Sequence, residues 1–247
     1  MQVTALYRHP LKSHGREALG EVVLHAGQAM PMDRHWAVAH EASKADGRAW
    51  APCANFSRGS KAPQLMAINA TFDAASGRLT LCHPDRADLT FDPDDEEAAF
   101  LEWVRPLVPQ DRALPARILR LPARGFTDTD YASVSLCNTA SHDAVSSQAG
   151  CDLSPLRWRG NIWFDGASAW MENNWVGQKI QLGEAILSVK EPTVRCLATT
   201  ANPETGLRDV DTLAILNGTW DHQYFGVYAQ VVKGGKVTLG DALEILE

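Results

Sequence analysis

A chain of 247 residues, 45% hydrophobic and 21% charged, can bury one large core or two small ones and shows no collagen-like or low-complexity bias. Its formal net charge of -7 argues against nucleic acid or an anionic membrane as a general partner, since both select for basic surfaces. A phosphate-bearing ligand therefore needs a local cluster of Lys and Arg.

In chain order, Gln2 to Tyr7 alternates as a first strand and is followed by the loop R-H-P-L-K-S-H-G. This start has no apolar signal core, and no run approaches the ~18 apolar residues of a spanning helix. A reducing cytoplasm without a membrane span is the expected location. A strand is predicted from Glu21 to His25 and another near Trp36. Arg48 to Pro63, rich in Gly, Ser, Pro and Asn, reads as an irregular surface loop. Gln64 to Phe72 and Leu79 to Cys82 read as a hairpin around D-A-A-S-G-R. A helix is expected over 94–104, with Asp94, Asp95, Glu96 and Glu97 at its positive end and Phe100, Leu101 and Val104 as its apolar stripe.

Arg117 to Leu121 is predicted as the strand opening a second domain, which divides the chain into 1–110 and 111–247. Ser133 to Leu136 leads into Asn138 and Thr139, good caps for a helix through Gln148 that ends at Gly150. A strand is expected over 157–166. Ile180, Leu182, Ile186, Leu187 and Val189 read as two strand segments kinked at Gly183, with Pro192 stopping the ladder. After the loop T-T-A-N-P-E-T-G come a helix around 210–216 and two closing strands, 226–232 and 237–246, joined by a Gly234-Gly235 turn. G-Q-K-I-Q-L-G-E-A-I-L and G-G-K-V-T-L-G-D-A-L-E echo each other as strands bending at equivalent barrel corners. The pattern is that of a β-rich, barrel-containing α+β protein.

The five cysteines, Cys53, Cys82, Cys137, Cys151 and Cys196, contain no C-x-x-C and give no disulfide or zinc framework. Cys196 stands out because Arg195 precedes it, and a fixed positive charge favours a thiolate. It is a candidate nucleophile or soft-metal ligand, against the alternative of a buried free cysteine. Eight tryptophans suggest large flat walls in the core or around a ligand. Several distant stretches set a cation or small polar group at a strand end or loop: Lys12-Ser13, Asp33-Arg34, Asn138-Thr139, Arg159-x-Asn161 and Arg195-Cys196. Lys and Arg suit a phosphate, while Ser, Thr and Asn suit amide edges. Nucleotide-binding, zinc-protease and nucleophile-elbow motifs are missing, and Ser141-His142-Asp143 reads as a polar helix face.

The stretches Y-R-H-P-L-K-S, M-D-R-H-W, R-W-R-G-N-I, L-G-E-A-I-L-S-V-K-E-P-T-V-R-C, T-T-A-N-P-E-T-G, F-G-V-Y-A and V-T-L-G-D follow the order of a known family. The chain resembles the MOSC-domain family, in the amidoxime-reducing branch with an extra N-terminal β-rich domain. The resemblance implies a MOSC β-barrel preceded by a smaller β-rich domain, and a molybdenum cofactor whose pyranopterin dithiolene and one cysteine hold the metal. Cys196 matches that cysteine, as metal ligand and catalytic centre, and thiolate is a suitably soft donor. Lys12, Ser13, Arg34, Arg159 and Asn161 match positions that hold phosphate and pterin. Asn138 and Thr139 match more loosely, and Tyr228 falls near the metal pocket. The family often has Pro where Gly160 stands, and 50–61 departs from the relatives.

The implied activity is reduction of small N-hydroxylated or N-oxide substrates, with protons completing water formation. No flavin, dinucleotide or iron-sulfur motif is present, so electrons are expected from an external reductase or small carrier. A cofactor or sulfur carrier without turnover is the alternative, and a Cys196-dependent hydrolase or transferase is a third reading.

Overall fold

The computed structural model describes residues 1–122 and 124–246. Its strands and helices run β1 (Gln2–Arg8), β2 (Glu17–Leu19), β3 (Glu21–Leu24), β4 (Trp36–His40), β5 (Asn69–Asp73), β6 (Arg78–His83), β7 (Arg86–Phe91) and α1 (Glu97–Val104). They continue with β8 (Pro115–Arg120), β9 (Val134–Asn138), α2 (Thr139–Ala149), β10 (Ile162–Asp165), β11 (Lys179–Leu182), β12 (Ala185–Val194), α3 (Thr212–Trp220), β13 (Tyr224–Lys233), β14 (Gly235–Thr238) and β15 (Leu243–Leu246).

Eight strands form one sheet in the order β15-β11-β12-β13-β9-β10-β1-β2, curled into a half-barrel. Its β9–β10 pairing is parallel, with α2 in the crossover, and its other pairings are antiparallel. Strand parity sets what each face carries. Along β13, Val227, Ala229 and Val231 point into the largest core with Leu6, Leu136, Ile162, Phe164 and Leu187. Tyr228 lies between them and faces the opposite side, directly across from Ser135 of β9. A second core packs α1 against the β5–β6–β7 sheet through Leu79, Leu81, Phe91, Phe100 and Val104.

The boundary expected near residue 110 falls between α1 and β8. Strands from both sides of it are interleaved: β1 pairs with β10, β3 with β14, and β4 with β8. The ends of β1 and β4 are thereby drawn toward β9, β10 and β12, which matters for the site.

Other details depart from the sequence reading. Gly183 is not a kink within a strand: Leu182 pairs with Ala185, so Gly183-Glu184 is the tight turn of the β11–β12 hairpin. Pro192 does not stop the ladder either. It sits opposite Val227 between two register irregularities, and β12 runs on to Val194. A proline is tolerated there because a bulge leaves no ladder bond for its missing N–H. The closing strands form no hairpin with each other, since β14 leaves the sheet to pair with β3 while β15 pairs with β11. The first parts of the segments expected as strands at 64–72 and 157–166 are short helical turns, Pro63–Ala67 and Pro155–Trp158. Proline at the first position of each turn favours that start.

Helix α2 starts and stops as its caps dictate. The Asn138 side chain accepts from Ala140 N, and Gly150 closes the other end at φ 66°. Its Ser141-His142 pair is buried, however, not a solvated face. Ser141 Oγ donates to Glu172, and His142 accepts from the Trp158 indole at 3.0 Å. No helix among the described residues is long and apolar enough to cross a membrane.

Candidate functional site

One cleft of about 290 Å³ lies where the loops after β1, before β4 and after β12 converge. Its wall carries six cations, Lys12, Arg34, Arg58, Arg157, Arg159 and Arg195, against one carboxylate, Asp128. That is the local basic cluster which an acidic chain needs for an anionic ligand.

The cations are built in, not scattered on the surface. Lys12 is 3% exposed; its ammonium donates to Phe126 O at 2.8 Å and pairs with Asp128. Arg34 is 8% exposed and pairs with the buried Asp33, whose carboxylate also accepts from the His9 backbone N–H at 2.7 Å. Arg34 Nη2 reaches the carbonyl of Arg159 at 3.2 Å, and Arg159 Nη2 reaches the carbonyl of Gly15 at 3.0 Å. These bonds tie the loops of Lys12, Arg34 and Arg159 into one frame. Gly15 is required in it: at φ 87°, a Cβ would also come within 2.5 Å of the Ala70 methyl.

Two observations mark this frame as more than scaffold. Ser13, Arg34 and Arg159 take left-handed backbone conformations, at φ 65°, 50° and 50°. Each costs about 1–3 kcal/mol, and such strain concentrates at functional sites. In addition, Arg159 Nη1 and Thr193 Oγ1 line the cleft buried, with no hydrogen-bond partner among the described residues. A buried unpaired donor costs about 1–3 kcal/mol, which a ligand anion would recover.

Electrostatics point the same way. Burial disfavours the charge of Arg159, and nearby Arg34 and Arg16 add repulsion, so its pKa is pushed down. Burial also works against the charge of Asp33, but Arg34 and His9 hold its carboxyl well below the usual range. At Asp128 partial burial is likewise outweighed, by Lys12 and Arg34, and its pKa stays down at about 2. His9 is neutral, since burial together with Arg159 and Arg34 brings it down to about 3. Burial and Asp128 push the Tyr228 hydroxyl above its ordinary value, so it keeps its proton at neutral pH.

Cys196 lies on this cleft with an exposed side chain, after β12 and at the start of the short turn Leu197–Thr200. Its neighbour Arg195 is turned elsewhere. That guanidinium donates to the carbonyls of Trp158 (2.6 Å) and Phe225 (2.9 Å) and lies 3.8 Å from the buried Cys137 sulfur. Adjacency in sequence is thus no measure of which thiol an arginine serves, although burial still raises Cys137 to about 11. Trp158 stacks on Phe225 at 3.8 Å between centroids and forms an aromatic wall of the cleft.

Of the residues singled out from sequence, Lys12, Ser13, Arg34, Arg159, Cys196 and Tyr228 line this cleft. Asn138, Thr139 and Asn161 do not, and their polar atoms are engaged within the fold. Asn138 caps α2 and donates to Ser168 O and the buried Glu172, while Thr139 donates to Phe164 O. Asn161 accepts from Ser135 and donates to Tyr7 O, locking β9 to β1 behind the cleft floor. Asp128, Arg58, Arg157 and Thr193 were not anticipated. Arg157 opens the R-W-R-G-N-I stretch and Thr193 lies in K-E-P-T-V-R-C, so both stood within the stretches that carry the resemblance; Asp128 sits in the Thr-rich T-D-T-D with no distinguishing pattern.

The β-rich half-barrel thus presents a cationic frame and an exposed cysteine thiol at one cleft. Two family models match the chain, the MOSC domain over residues 124–244 and the MOSC N-terminal beta barrel domain over residues 1–106. The chain belongs to the MOSC-domain family, whose domains are associated with molybdenum-cofactor-binding proteins. No curated protein matches it. Among solved structures it is similar to the YuaD protein from Bacillus subtilis, at 13% identity over 99% of this chain and 96% of that one, with a TM-score of 0.49. It is also similar to YiiM from Geobacillus stearothermophilus (17% identity, 46% of this chain and 54% of that one, TM-score 0.36) and YiiM from Escherichia coli (21%, 46% and 54%, TM-score 0.34).

Proposed function

We propose that the cleft binds a molybdenum cofactor and that the protein reduces N-hydroxylated or N-oxide-type small molecules with electrons from an external donor. The observation behind this reading is the combination, in one cleft of an acidic protein, of six cations, an exposed thiol and an unpartnered buried guanidinium nitrogen. The donor set fits the group: Lys12, Arg34 and Arg159 suit its phosphate, Ser13 and Thr193 its polar pterin edge, and Cys196 supplies a soft sulfur ligand. When bound, the cofactor supplies a two-electron redox centre.

The chain's own residues supply position and hydrogen bonds. The Lys12–Asp128 and Arg34–Asp33 pairs fix their side chains before any ligand arrives, which lowers the ordering cost of binding. Asp128 is ionised at neutral pH and cannot donate a proton, whereas Tyr228 holds one and lines the cleft. Tyr228 thus offers an O–H hydrogen bond to the substrate oxygen, while the two protons that cleavage of the N–O bond to release water consumes enter from solvent. Trp158 and its stacking partner Phe225 exclude water from one side.

The test is reduction of an amidoxime by cofactor-loaded protein with an artificial one-electron donor, compared with NADH alone. Turnover with the first and none with the second is expected. Metal-loaded protein that reduces nothing with either donor would instead favour a storage or delivery role.

A further inference from the structure

The segment 50–62 does more than border the cleft. It also lines a second, open cavity of about 120 Å³, together with Val108, Arg112 and Ala113. Its body is apolar, formed by Ala54, Phe56, Ala62, Val108 and Ala113, while Arg58, Lys61 and Arg112 bring cations to it. Asp111 is the carboxylate nearby, 3.6 Å from Arg112.

Two residues that line this cavity carry buried polar atoms without partners. Ser57 is 7% exposed, and its Oγ has no hydrogen-bond partner among the described residues. His40 gives Nε2 to Ala54 O at 2.8 Å, while its buried Nδ1 is equally unpartnered. Buried polar atoms are seldom left unpaired without a reason. Here the two residues that carry them line an apolar cavity with three cations.

We propose that this cavity binds a small amphipathic monocarboxylate. The carboxylate pairs with Lys61 and Arg112 and accepts from the Ser57 hydroxyl, while a branched or cyclic hydrocarbon body fills the space against Phe56 and Val108. The volume suits such a ligand, being of the order of the ~150 Å³ apolar cavity that accepts benzene. A neutral isostere would forgo the ion pairs, and a phosphate or sulfate would leave the apolar wall uncovered. Arg58 also lines the main cleft, and its Nη1 donates to the Cys53 sulfur there at 3.2 Å. The two sites therefore share one side chain, but the second needs neither Cys196 nor a metal.

The experiment titrates metal-free Cys196→Ser protein with isovalerate and, separately, with the neutral isovaleramide, following backbone amide shifts. Failure here is thus separable from failure of the cofactor reading. The expected result is saturable isovalerate binding at least about tenfold tighter than the amide, with shifts centred on residues 40, 54–62 and 108–113. Ser57→Val should weaken it about tenfold or more, and the surface change Lys61→Gln, which leaves the fold alone, should weaken it several-fold. No saturation at tens of millimolar, equal affinity for acid and amide, or unchanged binding in Lys61→Gln would overturn the proposal.

Discussion

Replacing Arg159 by glycine separates what this residue does for a ligand from what it does for the fold. The wild-type residue sits at φ 50°, where a non-glycine side chain costs about 1–2 kcal/mol. Glycine removes that strain but costs about 0.5–1 kcal/mol in backbone entropy, and the bond from Nη2 to Gly15 O, worth about 1 kcal/mol, is lost. These terms nearly cancel, so metal-free protein should keep its stability to within about 1 kcal/mol. Removing a guanidinium that would bond the ligand's phosphate should cost about 1.5–3 kcal/mol of binding, roughly ten- to a hundredfold in cofactor retention. The assay pairs urea denaturation of metal-free protein with molybdenum per chain after desalting. A stability loss of more than about 3 kcal/mol with retention unchanged would refute the reasoning and make Arg159 a structural residue.

Asn138→Ala should do the opposite, destabilising by about 2–4 kcal/mol through the lost cap and the stranded Glu172, while the folded fraction retains cofactor normally; impaired retention in well-folded protein would return Asn138 to the site. Gly160→Ala should cost about 1–3 kcal/mol, because a Cβ there collides with the Cys137 sulfur and comes within 3.3 Å of Trp163 Nε1. Adding Cys137→Ala should recover part of that loss, and strict additivity in denaturation would deny the contact. Burial holds His9 at about 3, and His14 and His35 at about 4, below their ordinary 6.5. The stability they confer is intact above pH 6.5 and lost as pH falls toward 4, where the unfolded chain takes up protons the folded one refuses. Melting temperature should therefore start to drop below about pH 6.5, before Asp33 and Asp128 are protonated, and a flat profile from pH 7 to 5 would contradict this.

What could be read in the sequence follows from how local its cause was. Asn138 and Gly150 mark α2 correctly because caps act within a few residues, and β1, β3, β4 and β8 follow from alternation. Pairing partners were less visible. The echo of 177–187 in 234–244 looks like two copies of one device, yet Gly183 turns a hairpin between β11 and β12, while its counterpart Gly240 lies between β14, which pairs with β3, and β15, which pairs with β11. Nothing within those segments encodes a strand more than 200 residues away. The same limit applied to the site. Lys12, Arg34, Arg159 and Cys196 were visible as residue types at loop positions, and the cleft brings them together. Asn161 shares the Arg159 motif but turns inward, because Ser135 and Tyr7 offer it bonds that no local pattern announces. Arg195 was misjudged for the same reason, since its partners Trp158 and Phe225 come from other elements.

The most direct measurement is the molybdenum and pterin content of wild-type and Cys196→Ser protein purified from a molybdate-replete host. Near-stoichiometric metal and pterin are expected in the wild type, with the variant folded but depleted of metal or altered in its sulfur coordination. Wild-type protein that carries neither metal nor pterin, or a variant indistinguishable from it in metal content and sulfur ligation, would contradict the assignment of Cys196 and of the cleft.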